Sequence, residues 1–241
     1  LHQMSLPNLD PAATRIGELV SELIVDGSCI QTGIGAIPAA ILSQLSDKND
    51  LGMHGGLIDD AGRELIDLGV LSGKSKTIDN AKHVTGMALG TDKLYEWLAF
   101  QEDVVFRGAD YTHEVSVISQ IDDFVSINSA VEIDLYGQIN SEFAGGRQIS
   151  GTGGSVDFMR AAKSSKRGKS IVAMNATAKN GEVSRIVQKV ELVTALRTDV
   201  DIVVTEFGVA NLKNLPVNQR ADALIEIAAP QFREQLRRSR G

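Results

Sequence analysis

The feature that most constrains this chain is a repeated alternation. Short β-branched, apolar runs are separated by helical patterns from one end of the sequence to the other. Cys29-Ile30-Gln31-Thr32, Phe124 to Ile127, Ile171 to Met174 and Ile202 to Val204 read as strands, and the last two are apolar on both faces. Strands buried on both sides belong to parallel sheets covered by helices. Asp10-Pro11 opens a helix with an Asp cap and a first-turn proline; Ile16, Val20, Leu23 and Ile24 continue it to Asp26-Gly27. Further helices are expected over Ala39–Leu45, Arg63–Leu68, Lys93–Phe100, Ala221–Ala228 and Gln231–Arg237, the last two parted by Pro230. Leu51–His54, Val84–Leu89, Val115–Ile118 and Val131–Leu135 complete the expected strands, with a turn at Tyr136-Gly137. The predicted class is therefore α/β, an open and mainly parallel sheet with flanking helices in one domain over residues 1–241.

Composition narrows the function. With 241 residues, 43% of them hydrophobic, the chain has ample material for a core. The 31 acidic against 24 basic residues give a net charge of -7, which argues against nucleic acid or an acidic membrane face as partner. The single Cys29 excludes an internal disulfide and fits a reducing compartment as a buried strand thiol. No stretch reaches the ~18 apolar residues of a membrane span. The opening LHQMSLPNLDP lacks the layout of a secretion signal, and a start without Met suggests a piece of a longer chain.

Ligand sites in such sheets lie at the carboxyl ends of the strands. Three glycine-bearing loops qualify. Gly33-Ile34-Gly35-Ala36-Ile37-Pro38 joins a strand to a helix, where backbone N–H groups can meet an anion. It matches neither the dinucleotide fingerprint nor a Walker loop, and a tight structural turn is the competing reading. Ser150-Gly151-Thr152-Gly153-Gly154 precedes a helix with Asp157 in its first turn, a pattern suited to an oxyanion hole. His54-Gly55-Gly56-Leu57 puts an imidazole at a strand end, as a general base or as a structural group. The four His are scattered without metal-ligand spacing, so no metal is expected. Ser155 lacks a nucleophile elbow. The basic run Lys163 to Lys169 reads as a solvated turn before a strand.

In this order the loops resemble the C-terminal domain of the acetyl-CoA hydrolase/transferase family, which includes 4-hydroxybutyrate CoA-transferases. The resemblance runs from about Gly33 to Leu236. It rests on GIGAIP at Gly33, LGMH at Leu51, SINSAVEIDLYGQINSE at Ser126, SGTGG at Ser150 with DF at Asp157, SRIV at Ser184, TEFGVANL at Thr205, RADALIEIA at Arg220 and PQFREQL at Pro230. It implies the CoA-transferase fold, related to the sugar-phosphate isomerase type, and coenzyme A as substrate without a metal. It also implies an N-terminal domain that is not in this chain, a cytoplasmic homodimer, and an acyl-CoA and a small carboxylate as reactants.

The resemblance further implies a glutamate nucleophile two residues after the LG-x-His histidine, passing through a mixed anhydride and a glutamyl thioester. Gly56 stands there instead. His113, in Tyr111-Thr112-His113-Glu114, stands where an asparagine is common, and Ser155 where a Gln is usual. The candidate catalytic residues are thus His54, His113 and Glu114, with Glu142 as a further carboxylate. Gly33, Gly35, Gly151, Gly153, Gly154 and Glu206 are the candidate CoA and oxyanion contacts. CoA transfer is the leading reading. Acyl-CoA hydrolysis, a non-catalytic CoA-binding subunit, and a transferase using Asp59 or Asp60 are the alternatives.

Overall fold

The computed structural model describes residues 3–4 and 9–240. Its centre is a six-stranded sheet built from β1 (Cys29–Thr32), β2 (Gly52–Met53), β3 (Phe124–Asn128), β4 (Lys169–Ala173), β5 (Ile202–Thr205) and β6 (Gly208–Asn211). The spatial order is β6-β5-β4-β3-β1-β2. All neighbours are parallel except the edge hairpin β5–β6. The register sets Ile30 beside Met53 and Val125, and Ile171 beside Ile127 and Ile202. Successive side chains point to opposite faces. Ile171 and Val204 therefore join a core with Ile16, Val20 and Ile41, while Val172 and Val203 join Met159, Leu224 and Ile225 on the other side.

Helices α1 (Pro11–Ser21), α2 (Ala36–Ser43), α3 (Asp60–Asp67), α4 (Asp92–Leu98), α5 (Ala109–Thr112), α6 (Val115–Ile118), α7 (Ser155–Ser164), α8 (Val217–Glu226) and α9 (Pro230–Arg238) flank the sheet. Asp10 caps α1, its side chain accepting from the Ala13 N–H at 2.7 Å. Helix α1 ends at Ser21, short of the expected Ile24. The N–H groups of Leu23 and Ile24 reach only three residues back, and Asp26 accepts from Asn49 instead. Pro230 opens α9 at its first turn, where a missing N–H costs nothing. The basic run ends in a surface turn in which Lys166 and Arg167 pair with Asp122 and Arg167 also with Asp123.

Two local expectations are corrected. Val115–Ile118 is helix α6, not a strand: Glu114 caps it by accepting from the Ser116 N–H at 3.0 Å. Val115 and Ile118 then share one face and pack with Cys29, Phe124 and Phe158, so tertiary packing overrides β-propensity. Val84–Leu89 divides into two strands. His83–Thr85 pairs with Val104–Phe106, and Met87–Ala88 with Leu57–Ile58. The break is Gly86, where a β-carbon would lie 3.1 Å from the Gly56 carbonyl oxygen. The Val131–Leu135 run supplies strand Glu132–Asp134, which lies in a separate small sheet. No helix of the described residues is long and apolar enough to cross a membrane.

Candidate active site

The carboxyl ends of the parallel strands carry the loops that the sequence singles out. β1 runs into Gly33, whose N–H donates to Ile127 O at 3.2 Å. Gly35 takes φ +117°, a conformation that glycine alone adopts without strain, and it starts α2 without a side-chain cap. The first-turn N–H groups of Ala36 and Ile37 are therefore left without a side-chain cap, and Pro38 has no N–H to satisfy. Beside this loop lies an open cavity of about 250 Å³, lined by Ile34, Gly35, Ser129, Asn175 and Arg185 among others. The Asn175 Oδ1 is buried with no hydrogen-bond partner among the described residues. Arg185 is fixed by donation to the carbonyls of Val131 (2.8 Å) and Ala130. Burial lowers its pKa, while Glu132 and Glu206 favour its charge.

The second loop, Ser150 to Gly154, leads into α7, and that helix too lacks a side-chain cap. Added β-carbons on Gly151 and Gly153 would meet nothing within 4 Å, as is true of Gly33 and Gly35. The loop is anchored at its start by the Ile149 N–H, which donates to the Glu142 carbonyl at 2.7 Å. Ser155 Oγ donates to Thr152 O at 3.1 Å and so serves the turn.

The third loop is built closely. The His54 N–H donates to Ile30 O, the Gly55 N–H to Val84 O, and the Gly56 carbonyl accepts from Met87 N at 3.0 Å. Beneath it Gln31, Ser126 and Asn128 form a buried polar cluster, with Ser126 Oγ donating to Gln31 Oε1 at 3.0 Å. The imidazole of His113 lies against both Gly56 and Gly154. A β-carbon on Gly56 would come 2.9 Å from its Nε2, and one on Gly154 would overlap the ring. Phe158 packs against the same ring at 4.7 Å between centroids, tilted by 45°.

The pattern of the Acetyl-CoA hydrolase/transferase C-terminal domain matches residues 90–240. The 4-hydroxybutyrate coenzyme A transferase of Clostridium kluyveri is 46% identical over 98% of this chain, and the chain covers 56% of that protein. The chain belongs to the acetyl-CoA hydrolase/transferase family. The butyryl-CoA:acetate CoA-transferase of Anaerostipes caccae is 42% identical over 93% of this chain and 53% of its own length. The crystal structure of RipA from Yersinia pestis superposes with a TM-score of 0.95 at 40% identity, over 99% of this chain and 55% of that one. The chain thus spans about half the length of the relatives it matches.

Among the family-implied residues, the structure brings His113, Gly56 and Gly154 together. Of the other catalytic candidates, His54 lies buried beside them, its ring 5.9 Å from that of Tyr111, and Glu114 turns away to cap α6. His54 is fully buried with neither ring nitrogen in a well-formed hydrogen bond among the described residues, although the Thr112 and Tyr111 backbone lies close enough to favour its charged form weakly. Burial first, and the Lys76 charge second, lower its pKa to about 4, so it is neutral at pH 7. Glu114 is exposed and bound to α6 as its cap; that hydrogen bond lowers its pKa. The Glu142 carboxylate accepts from Thr194 Oγ1 at 2.8 Å, and the Glu206 carboxylate from Ala176 N at 2.8 Å, so both hold loops in place. The alternative carboxylates are also committed elsewhere. Asp59 caps α3 by accepting from Gly62 N, and Asp60 accepts from Thr91 N and Oγ1 at 2.8 and 2.6 Å. Asn175, Ser129 and Arg185 went unassigned in the sequence. The signal was there for Asn175, the first polar residue beyond the buried strand β4.

Proposed function

We propose that this chain supplies one half of a site that moves CoA between an acyl-CoA thioester and a small carboxylate. One observation carries the reading: two glycine loops, each opening a helix without a side-chain cap and with open space over Gly33, Gly35, Gly151 and Gly153, sit at the carboxyl edge of a parallel sheet. Such amides stabilise the oxyanion that forms when a thioester is attacked. Membership of the family and the transferase names of its relatives support the same chemistry.

Gly56 has no side chain to acylate, so the acceptor carboxylate attacks the thioester carbon directly. The C–S bond breaks, CoA leaves as the thiolate, and a mixed anhydride remains. The thiolate then attacks the acceptor's carbonyl carbon in that anhydride, releasing the first acyl group as its carboxylate. Ile34 (52% exposed), Ile149 (53%) and Phe207 (43%) lie on or next to the loops at this edge, which fits a second domain covering it. The N-terminal domain implied by the family resemblance is the proposed cover. A cytoplasmic homodimer completes the proposal, supported by the family resemblance alone.

The test is bisubstrate kinetics on the full-length natural protein with acetyl-CoA and butyrate, following butyryl-CoA by mass spectrometry. Direct attack predicts intersecting double-reciprocal lines and no acylated carboxylate trapped by hydroxylamine or borohydride. Parallel lines with a trapped glutamyl thioester would contradict direct attack. Absence of exchange with every short carboxylate tried would overturn the transferase reading itself.

A further inference from the structure

Open space lies over Gly151 and Gly153, so the shape of the second glycine loop has to be set from its base. That base is a buried polar cluster around Asn140, which pairs across an antiparallel ladder with Glu132. Asn140 is 1% exposed, and its side-chain amide is fully used. Its Oδ1 accepts from the N–H groups of Glu142 (3.1 Å) and Phe143 (2.9 Å). Its Nδ2 donates to Phe143 O at 2.8 Å and to Glu132 Oε2 at 3.3 Å. The turn closed in this way presents the Glu142 carbonyl to the N–H groups of Ile149 (2.7 Å) and Ser150 (3.3 Å), where the glycine loop begins. A second tie holds the same turn. Thr194 Oγ1 donates to Glu142 Oε2 at 2.8 Å and accepts from the Ser141 N–H at 3.0 Å. On the far side of the cluster, Glu132 favours the charge of Arg185, which lines the cavity beside the first glycine loop. One buried amide thus stands between the two loops.

We propose that Asn140 is a positioning residue for the transfer reaction, setting the amides of Gly151–Gly154 where charge develops on the thioester oxygen, with Thr194 holding the turn to which that loop is tied. The inference rests on the reading that these loops hold an acyl-CoA thioester. Asn140 acts through the Glu142 carbonyl and Thr194 through the Glu142 carboxylate; neither is a catalytic group itself. Backbone donors aimed at developing charge work only when held in place, and a misplacement of about 1 Å can cost about 100-fold in rate. Binding of CoA, spread over a larger surface, is much less sensitive to such a shift. Asn is the residue type this turn demands, because it needs two acceptor and two donor sites on one short side chain. An aspartate there keeps the acceptors, leaves Phe143 O without its side-chain donor and sets like charge against Glu132.

The test measures exchange of acetyl-CoA with butyrate by the full-length natural protein, alongside hydrogen–deuterium exchange of the free protein. Thr194→Val keeps the shape of the side chain and removes its hydroxyl. It should lower kcat about tenfold with KM for acetyl-CoA changed less than about threefold, and Thr194→Ser should return kcat to within about threefold of wild type. Asn140→Asp should lower kcat about 100-fold with the same indifference in KM. In both Asn140→Asp and Thr194→Val the amides of Ile149 and Ser150 should exchange at least about tenfold faster while those of β3 and β4 keep their wild-type rates, a local change that general loss of stability would not give. Should Asn140→Asp fail to fold, the Thr194 pair decides the matter. A kcat within threefold of wild type in Thr194→Val, a loss that Thr194→Ser does not restore, or unchanged exchange at Ile149 and Ser150 overturns this inference and leaves the transferase reading standing. Wild-type protein that exchanges acetyl-CoA with no short carboxylate overturns the reading beneath it.

Discussion

At the scale of single residues, the contrast between Gly151 and Gly154 separates a loop shaped for a ligand from one shaped by packing. A methyl group on Gly151 enters open space, whereas one on Gly154 collides with the His113 ring. Gly151→Ala should shift stability by less than about 0.5 kcal/mol, because it touches nothing in the fold. Gly154→Ala should displace His113 and cost about 1–3 kcal/mol through overpacking, with a fall in turnover of at least tenfold. Urea denaturation and steady-state kinetics check both, and equal effects at the two positions would refute the contrast. The glycines themselves were legible in the sequence, since three in four positions carry a cost in chain entropy that a plain turn does not need. What sequence reading could not supply was which of them are open and which lie under an imidazole.

Among the elements, the loop His54–Gly56, helix α5 with His113 after it, and the start of α7 behave as one packed unit. Gly56→Glu alone forces its β-carbon against Nε2 of His113 and should destabilise the protein by about 1–3 kcal/mol. Combined with His113→Asn, the cost should fall by at least about 1 kcal/mol, a coupling that a double-mutant cycle in urea reads directly. Strict additivity would mean that the two positions do not share the space. The strands of the central sheet were legible because burial on both faces leaves continuous β-branched runs, as in Ile171–Met174. Val115–Ile118 shows the limit of that signal: the same residue types form a helix once Glu114 caps them and a pocket of Phe124, Phe158 and Cys29 takes one face. The division of Val84–Leu89 at Gly86 was hidden for another reason. It depends on the close approach of Gly56, 30 residues away in sequence, and no local pattern encodes it.

For the whole molecule, two buried histidines link folding to pH. His54 and His83 both have pKa values lowered to about 4 from the ordinary 6.5, chiefly by burial and next by Lys76. Asp79 beside His54 and Asp103 beside His83 oppose that shift, and Lys82 adds to it at His83. Between these values the unfolded chain binds more protons than the folded one, so stability is full above about pH 6.5 and is lost as pH falls toward 4. From pH 7 to 5 each histidine should remove up to roughly 2 kcal/mol. Urea midpoints across that range should fall, and His83→Asn should flatten the slope by about half; a midpoint independent of pH would contradict the linkage. On the same scale, the candidate site is an open face rather than a closed pocket, because Gly151, Thr152 and Gly153 are exposed. The most direct test of the central claim is hydrogen–deuterium exchange on the full-length natural protein with S-acetonyl-CoA, a thioether analogue that cannot react. The account predicts that the amides of Ile34–Ile37 and Gly151–Ser155 slow at least tenfold when the analogue is bound. Saturating binding that leaves both loops exchanging at their free rates would contradict it.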